Sequence, residues 1–540
     1  MSTDNTRIRM DYDEYSCLLH DQQHKQTKWQ KLLQSPIISL LPSIFLTIIL
    51  WFGISPSDDL SETAIHLLAV FIGCIFALMT TSYNISVLVI TSLIVLSLTQ
   101  SFQCIDHLTG ESIECRLCGT STSSSSVEEI YHCNGSEEAF AHSLEGFSST
   151  VVWLIFAAFH LGKAVEITQL GKRLSLWMIQ SFGKSIFGLG FSVVFSEILL
   201  APFVPSNTAR GGGIIMPIVN SMSKTLGSTP DHRPEIGAFL MLLGSHSNLL
   251  SASMFLTGMA SNPLALAKAN ELFPDMTFTF MTWITGSIIP ALVCALCLPL
   301  IMSKFVFSKS NSSKNQLNTQ VVEHSKTQLQ DMGPMSIKEK QLCFVLLGCL
   351  VLWVTSGYTK LDSTLVALSG IVVLLHMETI TWKDVSTNTT AWDTLFWLGG
   401  FITIAQHLSK AGASAFLGQH ISSAITDLGL SPIPCLAIAY FLTTFLFSSL
   451  SAHTVAFIST FLEAGKVLGA NPIILTALLS YFGALGGCFT NFSTGTTAMY
   501  FAHGYVSRSK WFSIGFCVGL FYIIVYFTIG MAWFKLLGWY

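Results

Sequence analysis

Charge is scarce in this chain. Among 540 residues there are 27 Lys and Arg and 31 Asp and Glu, so 11% are charged, against about 25% in an ordinary soluble domain. That deficit leaves too few charges for the water-facing shell of a soluble protein of this size. The net charge of −4 comes with no basic stripe and no recognition motif, so no nucleic-acid partner is expected. The first 35 residues lack an apolar core ending in a small-residue cleavage site, and no signal peptide is expected. Asp4, Asp11, Asp13 and Glu14 argue against a cleaved transit peptide. HExxH, GxSxG and Walker sequences are missing, which removes the usual supports for a membrane enzyme. No metal and no cofactor is expected.

What is abundant is apolar. Hydrophobic residues make up 51% of the chain and the mean hydropathy is +0.58. Stretches of about 20 apolar residues can cross a bilayer as helices. They begin near Ile37, Ala64, Ile85, Val151, Ile236, Thr277, Leu342, Ser363, Ala391, Ile433, Ile473 and Trp511. The expected fold is an all-α polytopic membrane protein with about eleven crossings and two broken segments. Lys and Arg concentrate in residues 1–35, after the fourth span and in residues 304–340, which places the N-terminus in the cytoplasm.

Two loops divide this pattern. Residues 304–340 carry six Lys and few apolar residues. They read as a cytoplasmic linker between a first half, 36–303, and a second half, 341–540. Residues 104–149 hold Cys104, Cys115, Cys118 and Cys133, a Ser-rich run and the sequon Asn134-Gly135-Ser136. One or two disulfides on the non-cytoplasmic side, with Asn134 glycosylated, is the favoured reading. A loose loop and a zinc site are the alternatives; one CxxC with two scattered cysteines is a weak ligand pattern. The sequon and cysteines suit a plasma or other secretory-route membrane better than a plastid.

The halves also match feature for feature. Trp153–Leu174 is laid against Phe396–Ile421, each an apolar helix with a Lys exit. A broken segment follows in each, "APFVPSNTARGGGIIMPI" in the first half and "FLFSSLSAHTVAFISTFLEAG" in the second. Next come spans interrupted by small polar residues, Ser251–Ala269 and Gly486–Gly504. Inverted repeats with broken helices are a transporter signature, and the binding site sits at the breaks. Ser206, Asn207 and Thr208 can cap half-helices, and a half-helix start inside the membrane also offers free N–H groups to an anion. Arg210 is costly at membrane depth, by at least about 2.5 kcal/mol, and its planar fork suits a carboxylate.

The stretches "PSNTARGGGIIMPI", "FLTGMASNPLA" and "DMGPMSIKEK", with the C-terminal "YFAHGYV", "WFSIGF" and "TIGMAWFKLLG", resemble the divalent anion/sodium symporter family. The likeness runs from about Ser35 to Tyr540 and is closest to its exchanger branch of bacterial citrate/succinate antiporters and plastid 2-oxoglutarate/malate translocators. It implies a lipid-embedded homodimer of elevator-type carriers, each with a scaffold domain, a transport domain and re-entrant hairpins at 187–219 and 434–466. It further implies a di- or tricarboxylate substrate held by two SNT motifs. The first motif is intact; where the second would stand the chain reads Ser451-Ala452-His453-Thr454.

Carried over position by position, the substrate contacts are Ser206, Asn207, Thr208, Arg210, Ser451, Ala452, His453 and Thr454 at the hairpins. Thr257, Gly258, Ser261, Asn262, Asn491, Ser493, Thr494, Gly495 and Thr496 join them from the interrupted spans. The altered second motif points away from sodium coupling. Arg210 and His453 are then expected to compensate a dianion together, and fixed cations that resist crossing empty would enforce exchange. A sodium-coupled dicarboxylate or sulfate symporter is the nearest alternative; a channel and a membrane enzyme are more distant ones.

Overall fold

The computed structural model describes residues 36–57, 60–81, 83–120, 130–276, 278–307 and 318–540. The N-terminal tail, much of the Ser-rich run and the middle of the linker lie outside these residues. The described chain is mostly helical.

The first layer is α1 (Leu41–Gly53), α2 (Glu62–Thr80) and α3 (Ile85–Leu98). Polar residues set where these helices begin. Ser61 accepts from the Ala64 N–H at the start of α2, and Asn84 accepts from Ser86 at the start of α3. Such caps satisfy N–H groups that the first helical turn leaves free. A small cap of chain then forms outside the helices. Strands β1 (Gln103–Ile105) and β2 (Ser112–Glu114) pair antiparallel, and α4 (Gly135–Ser143) packs beside them. Disulfides Cys104–Cys115 and Cys118–Cys133 staple this cap. Arg116 joins it to α2 through Glu62 and holds Glu114 at 2.7 Å. Asn134 is exposed at the start of α4, where its side chain accepts from Glu137.

From the cap the chain enters α5 (Thr150–Ile167), α6 (Leu170–Phe182) and α7 (Ile186–Leu200). The helix stops at Ala201, resumes as a π-helical segment over Thr208–Ile215 and continues as α8 (Met216–Thr225). Helix α9 (Pro234–Met254) is buried without interruption from Gly237 to Met254. It ends in a 3-10 turn, Leu256–Gly258, before α10 (Ser261–Leu272). The first half closes with α11 (Phe280–Val306), and α12 (Asn318–Asp331) lies in the linker.

The second half repeats this order. Helices α13 (Ile337–Val354), α14 (Ser363–His376), α15 (Trp382–Ser386), α16 (Thr389–Lys410) and α17 (Ala413–Asp427) precede a second helix–break–helix. That unit is α18 (Pro432–Thr443), a 3-10 turn at Thr444–Leu446 and α19 (Leu450–Val467). Helix α20 (Pro472–Leu485) is buried from Ile474 onward, like α9. It too ends in a 3-10 turn, Gly486–Cys488, before α21 (Gly495–Ala502); α22 (Arg508–Val525) then leads toward the C-terminus. The two buried helices, α9 and α20, pack on one another at the centre.

Length and composition alone make four of the described helices long and apolar enough to cross a membrane: Glu62–Thr80, Thr150–Ile167, Phe280–Val306 and Arg508–Leu536. Six more apolar helices are shorter than 18 residues. Several of these end at the breaks that break the sequence pattern.

Candidate functional site

The first break sits against the second half of the chain. The Asn207 side chain donates to Thr494 Oγ1 at 3.3 Å. Its backbone carbonyl accepts from Asn248 Nδ2 at 3.0 Å and from Thr496 Oγ1 at 3.1 Å. Thr494 caps α21 by accepting from the Thr496 N–H, and Gly495 lies beside the Thr208 side chain. Ser206, Asn207 and Thr208 therefore share one locus with Thr494, Gly495 and Thr496, although nearly three hundred residues separate them.

The glycines make this approach possible. A Cβ at Gly211 would stand 2.6 Å from Asn248 Nδ2 and 2.7 Å from Thr496 Cγ2, closer than carbon atoms pack. Tyr500 reinforces the contact by donating to the Gly211 carbonyl at 3.2 Å. The wide π-helical turn starting at Thr208 is itself uncommon and tends to mark functional positions.

Arg210 turns inward and is fully buried. Its Nε donates to Glu197 Oε2 at 2.8 Å. One terminal nitrogen donates to the carbonyls of Val204 (2.6 Å) and Gly258 (3.0 Å). The other donates to the Asn248 carbonyl (3.3 Å) and Ser251 Oγ (3.0 Å). A guanidinium has five N–H donors, and all five are taken. Arg210 and Glu197 are both 0% exposed. The cation that the sequence offered to a dianion is already neutralised by a carboxylate one helix earlier, and it braces the two breaks in the first half.

His453 is also inward, in a different place. Its Nε2 meets Thr443 Oγ1 at 2.9 Å, and its ring packs against Tyr440, Phe447 and Phe457. None of these residues is a partner of Arg210. The expected pairing of Arg210 with His453 across one cavity is absent from this arrangement, because each side chain is enclosed by its own half.

The remaining candidates divide by role. Asn262 Nδ2 donates to the Ala252 and Phe255 carbonyls at 2.8 and 2.9 Å, at the end of α9. Thr257 donates to the Pro202 carbonyl and Ser493 to the Gly487 carbonyl. Thr454 donates to the Leu450 carbonyl within its own helix. Ser449 caps α19 by accepting from the N–H of Ala452, and Ser451 lies half-buried in its first turn. Gly258 serves Arg210 through its carbonyl. Glu197 Oε1, Asn248 Oδ1, Ser261 Oγ and Asn491 Oδ1 are among the buried oxygens that have no hydrogen bond within the described residues.

A cavity of about 230 Å³ opens beside the first break. Ser206, Ala209 and Gly213 form one wall, Gly162, Lys163 and Glu166 of α5 another, and Thr387–Thr390 at the start of α16 the third. At roughly 30 Å³ per water, it has room for a small organic anion. Lys163 is its cation and lies 3.0 Å from Glu166 Oε1. Since α5 leaves the disulfide cap at Thr150, Lys163 near its other end puts the cavity on the side away from the cap.

Three residues here were missed from the sequence: Glu197, Asn248 and Lys163. Glu197 carried a usable signal, as the single acid in the apolar run "FSVVFSEILL", since ionisable groups inside a span seek partners. Asn248 and Lys163 carried none that separates them from ordinary helix positions.

A family model for the sodium:sulfate symporter transmembrane region matches residues 34–540. YflS of Bacillus subtilis (strain 168) is 32% identical over 507 residues, covering 93% of this chain and 97% of YflS. Dicarboxylate transporter 1, chloroplastic, of Spinacia oleracea is 30% identical, covering 92% of this chain and 81% of its own. The L-tartrate/succinate antiporter of Escherichia coli (strain K12) is 30% identical over 404 residues, covering 73% and 81%. The crystal structure of the Alcanivorax borkumensis YdaH transporter aligns with a TM-score of 0.55 at 12% identity, covering 84% of this chain and 99% of that one. At that identity the likeness concerns the fold.

Proposed function

The chain belongs to the sodium:sulfate symporter family, and from that membership we propose that it exchanges small di- or tricarboxylate anions across a membrane without sodium, by an elevator movement. Relatives named for dicarboxylate transport and for tartrate/succinate antiport support the substrate class. The observation that carries the reading is the meeting of Asn207 and Thr208 with Thr494, Gly495 and Thr496, next to Ser206, which lines the cavity whose cation is Lys163.

In this reading one carboxylate lies against the Ser206–Ala209 turn, where N–H groups at a helix start favour negative charge. Lys163 releases Glu166 and meets the other carboxylate. The body holding both breaks then slides past α5 and the neighbouring helices, carrying the anion with it. Arg210 and Glu197 travel as a neutral unit and keep the tip rigid. The second break supports sodium independence, since His453 fills with a ring the place where an SNT motif would offer oxygens.

The sodium-coupled alternative draws on one specific observation: Asn248 Oδ1 and Glu197 Oε1 are buried near the intact first motif without a donor, and a sodium ion takes such oxygens. Counterflow of labelled succinate into preloaded proteoliposomes decides between them. Equal rates in sodium and in choline buffers, with no uptake into unloaded vesicles, are the expected result. Uptake that needs sodium and ignores internal substrate overturns the exchange reading.

A further inference from the structure

The cap meets the membrane helices at a cluster that the transport site does not use. His142, in the last turn of α4, contacts the Glu145 carboxylate through Nδ1. Glu145 lies in the turn just before α5. From the other side, His407 and Lys410 in the last turn of α16 reach the same carboxylate, with His407 Nε2 and Lys410 Nζ at 3.3 and 3.2 Å from Glu145 Oε2. One ligand atom from each of His142, Glu145 and His407 lies within 4.8 Å of the others.

His407 decides what the cluster can do. It is 2% exposed, yet its Nε2 has no hydrogen bond among the described residues; its approach to Glu145 lacks the alignment of one. An imidazole nitrogen held dry and unbonded, and aimed at a second imidazole and a carboxylate, is set up as an electron-pair donor. The surroundings fix it there. Phe102 packs edge-on against the His407 ring at 4.7 Å, and the two imidazoles lie 5.3 Å apart. The backbone below is equally constrained: Thr403 Oγ1 accepts from the Gly146 N–H at 2.9 Å and donates to the Ser143 carbonyl at 3.2 Å.

We propose that His142, Glu145 and His407 form a site for a divalent transition-metal ion of the zinc class, which clasps the disulfide-linked cap to α16. Two imidazoles and one carboxylate are a familiar zinc donor set, with the fourth position left to water. The metal would take His142 Nδ1, His407 Nε2 and one Glu145 oxygen, and Lys410 would keep the other oxygen or leave it. Cys104 and Cys115 lie near His142, but their disulfide removes both thiolates from the donor set. Glu145 and His142 are partly exposed, which gives the ion a path from the cap side. Among the described residues, Lys410 is the fixed cation that reaches Glu145, and it opposes metal binding.

The test is titration of the purified full-length chain, disulfides intact and without a histidine tag, with Co2+ as a spectroscopic probe and Zn2+ as competitor. The chain has other histidines, including His20 and His24, that offer Co2+ a ligand, so the readout is the difference between variants. Wild type is expected to take up one Co2+ with the strong visible absorption of a four-coordinate ion, and to melt at a higher temperature with it. His142→Ala, at a partly exposed position, should weaken this binding by about 100-fold or more, since even loss of a residue supporting a ligand costs 10–100-fold. Lys410→Ala should tighten it several-fold by removing a like charge. Equal Co2+ affinity in wild type and His142→Ala overturns the proposal, as does weaker binding in Lys410→Ala.

Discussion

Removing Glu197 separates two roles for Arg210. If Arg210 were a substrate cation, Glu197→Gln would free it and strengthen anion binding. If it is a brace, the same change strands a guanidinium whose other partners are neutral carbonyls and a hydroxyl. Glu197 Oε2 accepts from Arg210 Nε, Asn248 Nδ2 and Ser251 Oγ, so the loss reaches three donors. Breaking a fully buried pair by neutralising one partner costs about 3–5 kcal/mol. An unfolding entropy of about 2.1 cal/mol/K per residue gives roughly 1.1 kcal/mol/K for a chain of this length, and the cost becomes a fall of about 3–4 °C in melting temperature. Arg210→Lys should fall by a similar amount, because an ammonium keeps the charge but offers three donors where five are used. The assay is intrinsic-fluorescence melting in detergent, with and without succinate. The brace requires both variants to lose stability in the absence of succinate and the double variant to lose less than the sum. Wild-type melting in both, with only the succinate-induced stabilisation lost in Arg210→Lys, refutes it and restores the substrate role.

Three further outcomes follow from the geometry. Lys163→Gln should raise the KM for succinate counterflow about tenfold, near the lower end of what a charge-assisted hydrogen bond contributes, while Lys163→Arg stays near wild type; an unchanged KM in Lys163→Gln removes Lys163 from the site. Reducing the two disulfides, whose cysteines are separated by 11 and 15 positions, releases loop-closure entropy worth about 3 kcal/mol for a 15-residue loop. Trypsin should then cleave after Arg116, the only Lys or Arg in residues 104–149, and equal cleavage before and after reduction contradicts a cap held by these bonds. Backbone N–H bonds from Leu108, and from His132, hold the Asp106 carboxyl below its ordinary 3.8. A depressed pKa stabilises the cap above that ordinary value and loses the contribution as pH falls through the lower folded value, so cap protection from trypsin should be flat from pH 8 to pH 5 in wild type and uniformly weaker in Asp106→Asn.

The membrane class and the polar breaks were legible because each is a local contrast in polarity. Spans and breaks differ from their neighbours within a window of about 20 residues, the scale on which hydropathy speaks. The cysteine loop was legible as a loop, yet its connectivity was not: four cysteines allow three pairings, and only the β-hairpin placing Cys104 opposite Ile113 brings Cys104 near Cys115. The partner of Arg210 failed for a related reason. Glu197 lies 13 residues earlier, on a helix that the chain leaves through a sharp break, and no helical periodicity connects i with i+13. The His453 expectation failed because an imidazole in a polar triplet reads alike whether it faces a cavity or the aromatic trio of Tyr440, Phe447 and Phe457.

The brace and the tip are one connected structure, and this decides what the ion pair is for. Asn248 Nδ2 donates to Glu197 Oε2 at 3.1 Å and to the Asn207 carbonyl at 3.0 Å. That carbonyl also accepts from Thr496, and the Asn207 side chain donates to Thr494. A chain of hydrogen bonds thus runs from the buried guanidinium through one carboxylate and one amide to the polar triplet. The acceptors on this path, Glu197 Oε2, the Asn207 carbonyl and Thr494 Oγ1, each hold a donor, so rotating the triplet strands a buried group, at about 1–3 kcal/mol each. Asn248→Leu would cut the chain in the middle while leaving Arg210 and Glu197 paired. Stability should fall by less than in Glu197→Gln, and succinate affinity by more, because the tip loses its tether and the ion pair does not. The opposite ranking in melting and counterflow would mean that the pair supports the fold alone and that the tip is held by α21.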